Sequence, residues 1–244
     1  MKKKIFSLVF LFLLSACHVG MLTTLYTDKT SFEVDGVRFD ANNKPITGIY
    51  HKYSKTMRLK EEIHYVDGLI SGLYLVYNNK GNIILNAQYF EGVPHGKVVL
   101  YYDSGKEQEV SYYKKGKLNG GRIFYYENGD LLRKESYKNG KKHGLIEEYF
   151  HTGAVKYSIT FSKGKLNGPQ RYYTKGNNLV SYSEFIKGKC NGVTQTFYNN
   201  AKPKVLAECK NGKLHGKAKY FDKKGNLTEI ITYDAGQEIN NIKF

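Results

Sequence analysis

The chain has no tryptophan and only three cysteines among its 244 residues, and acidic side chains are scarce. Twenty-two Asp and Glu stand against 38 Lys and Arg, a formal charge of +16, which points toward anionic partners. Beyond Leu14 no apolar run approaches the roughly 20 residues that a bilayer-crossing helix needs. No Pro- or Ser-rich stretch divides the chain, and only four prolines are present, so one elongated domain is the economical reading. Three cysteines are too few for a disulfide-built scaffold. No Ser/His/Asp or Cys/His set stands apart from the surrounding pattern. The chain is therefore read as a non-enzyme without a cofactor.

What is abundant is glycine, and it is periodic. Pairs recur every 24 residues at Gly68/Gly72, Gly92/Gly96, Gly116/Gly120, Gly140/Gly144, Gly164/Gly168, Gly188/Gly192 and Gly212/Gly216. Degenerate copies stand at Lys44/Gly48 and Gly236/Asn240. Three residues before the first glycine comes an aromatic: Tyr65, Tyr89, Tyr113, Tyr137, Phe161, Phe185 and Tyr233, with Cys209 the exception. Nine residues after it comes another, from Tyr77 and Tyr101 through Phe221. Such a period marks a repeat array, whose function resides in a surface rather than in one pocket.

Each unit reads as a β-hairpin. In residues 92–115 the run Lys97–Tyr102 is β-branched and aromatic, Asp103-Ser104-Gly105 makes a turn, and a second strand follows from about Glu107. The turn glycine recurs at Gly81, Gly129, Gly153 and Gly225, is displaced at Gly176 and is replaced by Ala201. The paired glycines are expected to form, together, the return turn to the next hairpin. Ile83, Leu131, Val155, Leu179 and Leu227 share the parity of the aromatic that ends their strand, hence one face. The expectation is an all-β fold, an elongated antiparallel sheet of 24-residue hairpins with aromatic columns stacked from unit to unit.

The units YFEGVPHGKVVLYY, YKKGKLNGGRIFYY, YKNGKKHGLIEEYF and FSKGKLNGPQRYYT resemble the MORN repeat in its bacterial variant form. The resemblance covers about Tyr65 to Ile239, although the usual MORN unit is shorter and richer in tryptophan. It implies a ribbon of hairpins serving as a protein-binding or membrane-associated scaffold, and does not name a partner.

Lys2, Lys3 and Lys4 precede the apolar run Ile5–Leu14, too short for a membrane anchor and suited to a signal peptide. Leu14-Ser15-Ala16-Cys17 then resembles a bacterial lipobox, which implies acylation of Cys17 and attachment to a membrane. The domain reading is residues 1–16 as lipoprotein signal peptide, 17–44 as acylated N-terminus and tether, and 45–244 as repeat domain. Within the tether Phe32–Phe39 reads as a hairpin about Asp35-Gly36. The expected location is the bacterial cell envelope, on the outer membrane if the organism is Gram-negative, because His18 rather than Asp follows Cys17. Export also removes nucleic acid as a partner, although the charge would suit it.

Three constellations stand out within the repeats. His95, His143 and His215 precede the second glycine, a place that Asn119, Asn167 and Asn191 fill in other copies. Repeats advance roughly 10 Å each, too far for these histidines to share a metal, so a turn-stabilising role is expected and no metal site. Lys115, Lys117, Lys141, Lys142, Lys165, Lys189 and Lys213 would line one edge and form a candidate anion-binding ridge. Asp67 and Glu91 hold the corresponding places in the first full copies. The bland alternative is that these lysines only keep an exposed sheet soluble. Cys190 and Cys209 are a candidate disulfide: pairing puts Cys209 opposite about Gly192, leaving Cys190 diagonal to it, with column filling as the other reading. The functional expectation is a lipid-anchored scaffold binding an unknown protein. Its alternatives are a binder of anionic lipid headgroups or lipopolysaccharide, and an antitoxin-like inhibitor.

Overall fold

The computed structural model describes residues 24–244; the stretch read as a signal peptide, and Cys17, lie outside the described residues. The described chain contains strands, turns and loops and no helix. It begins with β1 (Leu25–Thr27), β2 (Ser31–Val34), β3 (Val37–Asp40), β4 (Gly48–Tyr53) and β5 (Leu59–Val66). One sheet of 20 strand segments then continues in chain order to Gln237–Lys243. Every neighbour is antiparallel except β1, which pairs parallel with β4. The all-β reading holds.

The repeat around Tyr125 shows how the sequence builds a unit. Lys117–Tyr125 and Leu131–Lys138 pair across the tip turn, with a bulge between Phe124 and Tyr125. Gly129 N–H donates to the Tyr126 carbonyl at 2.9 Å, and Tyr126 N–H donates to the Asp130 carbonyl at 2.8 Å. Gly129 has φ of 99°. This is the three-residue hairpin loop that needs one left-handed residue. Where the glycine is missing, Asn177 and Ala201 adopt φ of 65° and 63°. The turn is thus not displaced to Gly176: Asn177 keeps the register, because Asn tolerates this conformation better than most residues.

The return turns differ from expectation, because the two glycines of a pair do not share one turn. Only the first sits in it, behind a residue that is itself left-handed, as in Asn139-Gly140 with φ of 51° and 76°. That is a two-residue hairpin turn of the primed type. The second glycine belongs to the strand that follows. Gly72, Gly96, Gly120, Gly168 and Gly192 lie inside that strand, while Gly144 and Gly216 open it.

What selects glycine at these seven places is an irregularity in the strand. All have positive φ, from 78° at Gly216 to 121° at Gly168, and the pairing register slips around them, as between Leu118 and Arg122 about Gly120. The preceding strand also approaches closely. A Cβ would stand 3.0 Å from the His64 Cβ at Gly72, and 3.3 Å from the Cβ atoms of Tyr112 and Ser136 at Gly120 and Gly144. At Gly168 it would lie 3.1 Å from the Thr160 Cβ, and at Gly96 and Gly192 it would meet the side chains of Gln88 and Glu184. Gly216 is the exception: nothing lies within 4 Å, so backbone conformation alone favours glycine there.

The aromatic columns are interleaved rather than stacked ring on ring. Column members are two strands apart, roughly 10 Å, beyond the 4.5–7 Å of ring pairs. Tyr113 instead faces Leu118, and Phe161 faces Leu166. Tyrosines at the tips add an unforeseen link: the Tyr102 and Tyr198 hydroxyls each donate at 2.8 Å to the carbonyls of Tyr125 and Phe221 in the next repeat.

From Thr24 onward the segment expected to act as a tether is built into the end of the sheet. β2 and β3 form the anticipated hairpin about Asp35-Gly36, and β1 adds a parallel strand that no pattern announced. Ile46, Tyr50, Ile63 and Tyr65 form a buried cluster there. The Arg38 guanidinium lies 3.9 Å from the centre of the Tyr50 ring, close enough for a cation–π contact. Repeat arrays need such a cap, because a terminal unit has one face without a neighbour.

Ala201→Gly is expected to raise stability by about 0.5–1 kcal/mol, since glycine removes the left-handed strain, and Gly105→Ala to lower it by about 1 kcal/mol. Urea midpoints that move in the opposite directions would refute the tip-turn account.

Candidate binding surface

The return turns line up along one end of the strands, and a backbone bond joins each to the last. Gly116, Gly140, Gly164, Gly188, Gly212 and Gly236 donate N–H to the carbonyls of Pro94, Leu118, Lys142, Leu166, Cys190 and Leu214 at 2.7–2.9 Å. Side chains reinforce this ladder. The Asn119, Asn167 and Asn191 amide oxygens accept from the backbone N–H of Asn139, Lys187 and Asn211 at 3.1–3.3 Å. His143 Nδ1 accepts from Lys163 N–H at 3.4 Å. Of the three histidines His143 alone shares with the asparagines the turn-stabilising role expected of them, across to the next repeat. His215 instead lies 3.4 Å from Asp234, and His95 packs edge-on against Phe90.

On this framework lysines form a column. The Cβ of Lys117 lies 3.8 Å from the point a Gly140 Cβ would occupy; Lys141, Lys165, Lys189 and Lys213 stand likewise against Gly164, Gly188, Gly212 and Gly236 at 3.4–3.9 Å. Leu69 and Val93 hold the same place against Gly92 and Gly116. Lys115 is exposed at the turn itself, with φ of 50°. Lys142 does not belong to the ridge. Next in sequence to Lys141, it takes the opposite parity, pairs with Tyr137, and lies 3.6 Å from Glu135 and over the Phe161 ring. Among the described residues the other six lysines form no ion pair.

Cys190 and Cys209 are disulfide-bonded, with Cα atoms 5.8 Å apart. Cys209 faces Gly192 as expected, yet the diagonal is shorter than a regular ladder gives. The strand is irregular at Gly192, φ 120°, and the next turn grips the Cys190 carbonyl through Gly212 at 2.8 Å.

Sequence reasoning missed a charged cluster on one face of the central repeats. Arg122 forks onto Glu109 at 2.8 and 2.9 Å. Arg133 covers the Phe124 ring at 4.4 Å, lies 3.4 Å from Glu135 and reaches Glu148, which Lys156 holds at 2.8 Å. Glu109, Arg133, Glu135 and Tyr137 share one parity of their strands, a signal that period-two reading could have used. Burial works against the Glu148 carboxylate, but hydrogen bonds from Lys156 and Tyr157 and the charges of Lys156 and Arg133 outweigh it and hold its pKa below the ordinary value. Burial and a hydrogen bond to Glu147 push Tyr149 up to about 12. Mutual neutralisation leaves this cluster without free charge to offer a ligand.

The family described as MORN repeat variant matches at residues 118–139 and 214–235, each a strand, tip turn and second strand of one repeat. No curated protein matches the chain. Among solved structures it aligns with chains of the Photorhabdus luminescens Tc holotoxin pore, at 12% identity and a TM-score of 0.22, and of the TcdB2-TccC3-Cdc42 crystal structure, at 12% and 0.23. Each alignment covers 83% of this chain but spans 12% of the other, and values so low carry no inference about activity.

Reducing the Cys190–Cys209 bond, or replacing both cysteines by serine, is expected to cost about 3 kcal/mol for a loop of this length; an unchanged urea midpoint would contradict the bond. Because Glu148 titrates lower in the folded state, its contribution is present above the unfolded carboxylate pKa and is lost as pH falls through the folded one. Glu148→Gln is therefore expected to flatten the acid limb of the stability curve, and an unaltered limb would rule the carboxylate out.

Proposed function

We propose that this protein is a non-enzymatic repeat scaffold, lipid-anchored through Cys17 in a bacterial cell envelope, that binds a protein partner along its repeat array. The observation that carries the reading is the unbroken register of turns, which presents the same side-chain places again and again along one line. Uniform repetition suits recognition of an extended partner and offers no enclosed site for chemistry. The match to the MORN repeat variant at two places supports a scaffold or binding role. The disulfide fits an exported protein, since such bonds persist in oxidising compartments.

A second reading, contact with anionic lipid headgroups or lipopolysaccharide, is favoured by the lysine column. The lysines stand at hairpin ends, where no unpaired strand edge needs guarding. Lys115, Lys163 and Lys187 also occupy left-handed turn positions, at a conformational cost of roughly 1–2 kcal/mol each. Asn fills the same place at Asn139 and Asn211 with less strain. Solubility alone does not require charge at such positions.

Cys17→Ser is expected to abolish fatty-acid labelling and release the protein from membranes; labelling equal to wild type would sink the anchor. Crosslinking in intact cells tests the scaffold, which requires a reproducible protein partner lost when the repeats are deleted. For the lipid reading, Gln at positions 117, 141, 165, 189 and 213 is expected to remove binding to anionic vesicles at low salt, with the fold retained. Lysines about 10 Å apart exceed the ~8 Å Debye length at physiological salt, so each acts locally and binding should decline steeply with salt.

A further inference from the structure

The column of side chains beside the return turns changes character along its length. Leu69 and Val93 begin it, and Lys117, Lys141, Lys165, Lys189 and Lys213 continue it. Around the apolar end, Val66, Phe90 and Val93 are 47%, 53% and 40% exposed, and Phe90 and Val93 face each other across the turn. A shallow hollow lined by His64, Leu73, Gln88, Phe90 and His95 lies beside them. Asp67 and Glu91 stand at these two turns, where the later repeats carry Lys115, Lys163 and Lys187. The column therefore passes from apolar to basic, while the turn places beside it pass from acidic to Lys or Asn.

The spacing of the basic part follows from two strands per repeat, roughly 9.6 Å. Lys117 Cβ is 3.8 Å from the Cβ point of Gly140, and Lys141 is the next residue. Adjacent Cα atoms are 3.8 Å apart and each Cα–Cβ bond adds about 1.5 Å, so the contact caps the separation of successive lysine Cβ atoms at about 10.6 Å, and two strand spacings put it at roughly 9.6 Å. Few polymers carry charge at that interval on one side. A β-strand turns successive side chains to opposite faces, so every third residue alternates. An α-helix repeats a face after two turns, about 10.8 Å, and drifts out of phase by about 5 Å over four intervals. A polyproline II segment has three residues per turn and rises 3.1 Å per residue, about 9.3 Å per turn. Over four intervals its mismatch is only about 1 Å, which a flexible lysine side chain absorbs.

We infer that the return-turn edge recognises an extended acidic polypeptide in the polyproline II conformation, with a carboxylate at every third residue and apolar side chains at one end. Five carboxylates in about 13 residues meet the five lysines one to one. Beyond Lys117 the acidic pattern must stop, because Asp67 and Glu91 repel it, and apolar groups then lie on Phe90 and Val93. The partner is thereby held in one direction. The inference rests on the protein-binding reading above and supplies that partner's chemistry; an anionic glycan has no use for the apolar end, and an anionic membrane, which could take it up, would not distinguish one spacing of charge from another.

The test is fluorescence anisotropy with the full-length chain in detergent and labelled synthetic peptides. One peptide carries five Glu-Pro-Pro units, a second the same residues with the glutamates in one block, and a third adds two leucines to either end of the first. The periodic peptide is expected to bind about tenfold more tightly than the block peptide. Lys165→Gln with Lys189→Gln is expected to erase that preference. Leucines at one end alone are expected to tighten binding, and Phe90→Ser to remove only that gain. Equal affinity for the periodic and block peptides would overturn the inference, as would binding to anionic vesicles with none to either peptide. A crosslinked protein partner retained by the lysine variants would also overturn it, while leaving the scaffold reading intact.

Discussion

The structure depends on one recurring bond: the amide of each return-turn glycine reaching back to a carbonyl of the preceding repeat. A strand pair can be propagated by ladder hydrogen bonds alone, but its ends would be free to splay. Here the bond from Gly140 to Leu118, repeated from Gly68 to Gly236, fixes where every hairpin begins. It demands a left-handed residue pair at the turn, and so dictates the glycine period. The tip tyrosines tie the other end in the same way, and the side-chain columns follow from those two fixed ends.

Such an assembly has little interior. Strands bury residues against their sequence neighbours, as with Ala87, Val99, Ile146 and Ala218, each at most 3% exposed; the one compact hydrophobic cluster among the described residues lies at the N-terminal cap. Stability is consequently a sum of similar nearest-neighbour terms. The central charged cluster fits this economy. Arg122 and Arg133 lay their stems and planar heads over Phe124 while their charges are met by Glu109, Glu135 and Glu148. Long polar side chains thus supply the cover that a second layer would provide elsewhere.

Much of this is legible in the sequence, for particular reasons. Glycine at 24-residue intervals has one economical meaning, and the β-branched and aromatic run Lys97–Tyr102 marks a strand, although the strand begins earlier, at Val93. The cysteine pair can be placed because a hairpin's register follows from its turn, although the irregular strand at Gly192 that shortens the diagonal cannot. Lys142 escapes a reading that groups lysines by nearness in sequence, since parity sends it to the face opposite Lys141. The glycine pairs mislead for a related reason. Gly140 and Gly144 look like the two ends of one turn, whereas the first answers hairpin twist and the second a kink in the next strand crowded by Ser136. β1 is invisible: three residues pairing in parallel leave no period to detect. The ion cluster is hidden by the same aromatic rhythm that reveals the repeats.

The disulfide has a mechanical meaning. A sheet whose strands touch only their neighbours yields to tension one strand at a time, like a seam. The crosslink between Cys190 and Cys209 joins two adjacent strands, with the tip turn between them, so traction from the Gln237–Lys243 side passes across the bond and leaves that hairpin unextended. In a pulling experiment the residues between the sulfurs would contribute no extension until the bond is reduced, while the strands toward the cap would still separate in turn. A contour length that included them under oxidising conditions would disprove the crosslink.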